Sequence, residues 1–188
     1  MFLNLNIKKV VYNPIYMGII LPSILSMFGV LTGQEGVIYY GEVHSTFHNA
    51  MVHSVCMPFT IYGMLLWIPN TVIYLSGRKY TPYIARHIGS DIQRYLYILY
   101  MTHYLMVSIK IGLILVLVYS VPLYFAHRRY IDIVDSNHVV YGLAISTFFL
   151  TFQEVFGHYY GGDDPSRPEA VFNAILYATY FSVGHFFR

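Results

Sequence analysis

The stretch Glu42–Pro58, EVHSTFHNAMVHSVCMP, sets His44, His48, Asn49 and His53 within ten residues and leads straight into an apolar run. That run covers residues 47–75 and ends near Pro69 and Gly77. Imidazoles at the head of so apolar a segment are costly to bury in hydrocarbon, and an ionisable group placed there marks a functional site. The whole chain has the same character. Of its 188 residues 56% are apolar and 11% charged, whereas a soluble domain carries about a quarter charged. So few charges cannot cover a water-facing surface, so the sequence predicts an integral membrane protein.

Further apolar runs cover residues 15–31, 95–126, 138–156 and 169–187. A helix needs about 20 apolar residues to cross the hydrocarbon, so the pattern predicts an all-α, polytopic bundle of five to six transmembrane segments. It forms one membrane domain, 1–188, with residues 1–37 as an extra N-terminal span before a core of 38–188. The count turns on 95–126, which is either one long helix or two spans of about 15 residues turning near Lys110–Gly112. Basic residues favour two. With six crossings Lys8, Lys9, Arg78, Lys79, Arg86, Arg94, Arg128, Arg129 and Arg188 share one side and Arg167 the other. The same topology brings the His44 and His158 loops together, beside Asp163 and Asp164. A formal charge of +2 with scattered basic residues predicts no nucleic-acid partner. The single Cys56 excludes an intrachain disulfide.

Helix geometry limits which histidines act together. At about 100° per residue, Asn49 and His53 share a face, whereas His44 and His53 would stand about 180° apart on one continuous helix. Both reach one ion only if the helix starts after His44, with Ser45 or Thr46 as N-cap. Pro58 is expected to bend the helix beyond His53. Haem ligation between facing helices and a proton path are alternatives for such histidines. The spacings of 4, 5 and 9 do not repeat as paired haem ligands would, and no HExxH helix or nucleophile elbow occurs.

The pattern His44, Asn49, His53, Pro58, followed later by Gly157–His158 and Pro168-x-Ala170, resembles the family of 2-hydroxy fatty acid dioxygenases, membrane enzymes of the endoplasmic reticulum that act in phytosphingosine degradation. The resemblance covers roughly residues 38–185. It departs from the family at Val43, where a tyrosine is usual before the first histidine, and at Glu154, where a glutamine is usual and Gln153 lies one residue early. Gly162 stands where a glutamate is usual, and Asp163 or Asp164 takes that place only across a two-residue insertion.

The resemblance implies Fe(II) and oxidative removal of one carbon from a 2-hydroxy acyl chain housed in the bundle. It implies His44, His53 and His158 as iron ligands and Asn49 as the residue that orients a ligand or the substrate. Asp163 or Asp164 is then a fourth ligand or a partner of one; His48 is absent from the family's pattern and stands only as a reserve ligand. Fatty-acyl substrate and membrane lipid are the expected partners. The competing expectation is a non-catalytic accessory subunit of a larger membrane complex, such as one of the mitochondrial inner membrane, that kept the fold.

Overall fold

A computed structural model describes residues 12–27, 29, 31–42, 44–77, 79–132, 137–163 and 171–187, and all regular structure among them is helical. Seven helices follow in order: α1 (Pro14–Ser26), α2 (Gly33–Glu42), α3 (Phe47–Leu75), α4 (Pro82–Val107), α5 (Ile109–Asp132), α6 (His138–Phe152) and α7 (Val171–Gly184). A wider π-helical turn, Gln153–Tyr159, continues α6. The protein is an all-α bundle. Three of its helices, α3, α5 up to Tyr130, and α6 with its π turn, are long and apolar enough to cross a membrane, and α1 is a shorter apolar helix. Large apolar side chains such as Phe59, Leu117 and Phe148 stand on the outside, as suits helices solvated by lipid. The chain is an integral membrane protein.

Residues 95–126 divide into two segments, and the break falls at Ser108, whose backbone is extended. Both halves prove longer than the apolar run suggests. Thr81 caps α4 by accepting a hydrogen bond from the Ile84 amide, and Pro82 opens the first turn. The stretch before residue 95, outside the apolar run and carrying Arg86 and Arg94, is therefore the first half of a 26-residue helix. Gly112 closes the hairpin, since a Cβ there would stand 2.7 Å from the Leu105 Cα.

The bundle has two distinguishable ends. At one end the Tyr130 ring packs over Gly89 and stacks on His138 at 5.1 Å, joining the start of α4, the end of α5 and the start of α6. At the other lie His44, the N-terminus of α3, the end of the π turn and the α4–α5 hairpin. Helix α6 runs antiparallel to α3. The two cross at Gly63 and Gly142, where a Cβ on either would meet the other's carbonyl oxygen at 2.7 Å. Small residues let membrane helices approach this closely. The Gln93 amide ties α4 to α3 by donating to the Leu65 carbonyl at 2.8 Å.

The last apolar run departs from the expected sixth crossing. Helix α7 rises beside α2, with Asn173 donating to the Leu31 carbonyl and Tyr40 packed on Phe181. It finishes where the Lys110 ammonium donates to the Phe187 carbonyl at 2.8 Å. Asp163 and Phe187 thus lie at the same end, so the described part of the last run, 171–187, does not finish at the opposite end. Fourteen residues of helix rise only about 21 Å, short of the hydrocarbon thickness.

Candidate metal centre

Helix α3 begins after His44, as a shared site requires. The Thr46 side chain caps it by accepting from the Asn49 amide. His44 precedes the cap and folds back over the first turns, held by a 2.8 Å hydrogen bond between its Nδ1 and the Tyr40 carbonyl. Because a carbonyl can only accept, Nδ1 carries the proton and Nε2 keeps its lone pair. The Tyr40 ring stacks on the imidazole at 4.0 Å. Burial draws the His44 pKa down to about 4 against the raising effect of the Tyr40 bond. The ring is therefore neutral at physiological pH, the form that binds metal.

His53 projects inward from the second turn of α3, and His158 arrives from the π turn. All three imidazoles are buried, with exposures of 2%, 4% and 1%. Their centroids are 4.7 Å apart for His44–His53, 4.6 Å for His44–His158 and 5.5 Å for His53–His158. One nitrogen from each lies within 4.8 Å of the others, close enough to hold a metal ion. Metal–nitrogen bonds of about 2 Å need only a small further contraction. The donor set fits an ion on its own chemistry. His44 Nε2 and both His53 nitrogens are buried without a hydrogen-bond partner among the described residues, a costly arrangement for imidazoles with nothing to bind.

Asp163 does not face the centre. Its carboxylate accepts from the Ser45 amide and hydroxyl, the Thr46 amide and hydroxyl, and the Asn49 side-chain amide at 2.8 Å. Partial burial works against its charge, yet these bonds outweigh it and hold the pKa at about 2. The carboxylate sits where the first amides of α3 are unpaired, a favourable place for an anion. It latches the loop after the π turn onto the loop that carries His44. Asn49, fully buried, links this latch to the centre, its amide nitrogen 3.5 Å from His158 Nδ1. Gly162 has φ +78°, a left-handed conformation that suits glycine and strains a glutamate. Asp164 lies outside the described residues. His48 stays outside the cluster and binds the Phe156 carbonyl through Nε2 at 3.0 Å.

The π turn decides which of Gln153 and Glu154 faces inward. Residues five apart share a face in a π-helix, as residues four apart do in an α-helix. Gln153 and His158 therefore point inward together, both 1% exposed, while Glu154 is exposed. The Gln153 amide donates to Thr60 Oγ1 and the Phe149 carbonyl. Below the histidines opens a cavity of about 380 Å³, lined near the centre by Tyr40, His44, His53 and Gln153 and farther on by apolar side chains of α3 and α4. Searches of protein-family models, characterised proteins and solved structures return no match to this chain.

Proposed function

We propose that the protein is an Fe(II)-dependent oxygenase of the membrane that shortens long-chain 2-hydroxy fatty acids by one carbon, with the endoplasmic reticulum as its membrane. One observation carries the proposal: three buried imidazoles, each offering one nitrogen within 4.8 Å of the others, converge in a membrane bundle, and two of them, His44 and His53, line the head of an apolar cavity. Three histidines on one side of an ion leave its other positions open, as in non-haem iron oxygenases. The reaction joins a 2-hydroxy acid and O2 and yields the shortened acid, CO2 and water. The four electrons released by the substrate are those O2 accepts, so no reducing cosubstrate is required. Bound iron would supply coordination positions for the hydroxyl and carboxylate oxygens and a route for electrons to O2.

The chain's own residues do the remaining work. Tyr40 fixes the tautomer and aim of His44 through its carbonyl. Asn49, held by Asp163, stands beside His158, and partners of this kind orient ligands and tune their basicity. The apolar lining excludes water from the reacting atoms. The deciding experiment is metal analysis of the purified, detergent-solubilised protein together with turnover of a 2-hydroxy fatty acid. The expected result is about one iron per chain, with both iron and turnover lost in His53→Ala and His158→Ala while helicity is unchanged. A folded wild type that takes up no iron on reconstitution overturns the proposal and leaves the accessory-subunit alternative.

A further inference from the structure

The cavity below the histidines follows one face of α3. His53, Met57, Ile61, Met64 and Ile68 all line it, and their steps of three and four residues place them in a single file. From His53 to Ile68 the helix rises roughly 22 Å at 1.5 Å per residue. Leu96 and Tyr100 of α4 face this file, and Ala174 and Ala178 of α7, two small residues, leave room beside it. Among the described residues no Lys or Arg lines the cavity, and Glu154 is the charged residue in its lining. An anionic headgroup seated anywhere but at the histidines would thus be buried without compensation.

We infer that the cavity is a molecular ruler for a single unbranched acyl chain, its acid head at His44, His53 and His158 and its methyl end at Ile68. Depth along α3 sets the longest chain admitted, and the side chains at 61, 64 and 68 are the graduations. The inference rests on the proposed function for the identity of the head, but not for the direction or depth of the tail. While the tail still has room, each added methylene strengthens binding roughly fourfold. Beyond the floor, an added methylene contributes nothing or clashes.

Binding of saturated straight-chain 2-hydroxy acids of increasing length, measured by displacement of a fluorescent fatty acid, tests this without turnover. Wild type should gain roughly fourfold per methylene up to a cutoff. Ile61→Trp, Met64→Trp and Ile68→Trp should each impose a shorter cutoff, earliest for 61 and latest for 68, with metal content unchanged. Val55→Trp, on the outer face of α3, should keep the wild-type cutoff. A cutoff that ignores the position of the tryptophan, or moves equally with Val55→Trp, overturns the ruler. Should one variant fail to fold, the order of the remaining two against Val55→Trp still decides. Graded cutoffs in a protein that oxidises no 2-hydroxy acid would uphold the ruler and sink the dioxygenase reaction. Turnover with no graded cutoff would do the reverse.

Discussion

Gly157 and Asn49 touch across the α3–π-turn interface: a Cβ at 157 would lie 2.6 Å from Asn49 Oδ1. Asn49 is fully buried and bound to Asp163, so it has little room to yield. Gly157→Ala is expected to push the π turn away from α3, at a cost of about 1–3 kcal/mol. Metal affinity should fall with stability, because His158 is the next residue. Thermal unfolding with and without added Fe(II) or Zn(II) measures both effects.

Asp163→Ala should free the His44 loop without removing any ligand. Loss of a partner that orients ligands typically weakens metal binding 10- to 100-fold, and that range is expected here. His44→Ala should exceed it, because it deletes a donor. His48→Ala, which loses only the bond to the Phe156 carbonyl, should keep wild-type metal content. Metal titration of the three variants ranks them. Equal losses for His48→Ala and His44→Ala would contradict the assignment of the centre.

The latch makes a distinct prediction for acid. The Asp163 carboxyl is held at about 2, below its ordinary value of 3.8. A carboxyl whose folded pKa is depressed stabilises the fold fully above the unfolded value, and the benefit fades as pH falls towards the folded one. The melting-temperature gap between wild type and Asp163→Asn should therefore be constant from neutral pH down to about 4. It should close as pH approaches about 2. A gap that opens on acidification has the wrong sign for this latch.

Single cysteines in a Cys56→Ser background test the bundle's two ends. Position 45 and position 187 should label from one side of the membrane, and positions 77 and 128 from the other. A cysteine at 187 that labels with 128 would restore the sixth crossing. It would be incompatible with the contact between Lys110 and Phe187.

Much of the centre was legible because its geometry is local. His44 and His53 stand nine positions apart, so they can share one ion only if the helix starts between them, and Thr46 supplies the cap. The membrane character follows from charge scarcity, and the all-α bundle from apolar runs long enough to cross as helices. Other features depend on contacts that spacing does not encode. Nothing in the sequence marks Gln153–Tyr159 as a π turn, so an α-helical register places Glu154, rather than Gln153, on the inner face. The role of Asp163 as a latch needs the loop after His158 to meet the N-terminus of α3, more than a hundred residues earlier. The true length of α4 was hidden because its first half is polar and reads as loop. The course of α7 was hidden because a short apolar helix leaning on α2 has the same composition as a crossing one.

The centre draws its donors from a loop before α3, from α3 itself and from the turn after α6, so its parts leave the ribosome far apart in time. His44 and His53 are exposed to the insertion machinery while more than a hundred residues remain to be made, and the Asp163 latch can close only when α6 is already in place. A metal ion could meet all three nitrogens only after the π turn has docked on α3. The order of synthesis thus makes the complete three-histidine cluster a late product of folding, one that a chain ending before His158 cannot assemble.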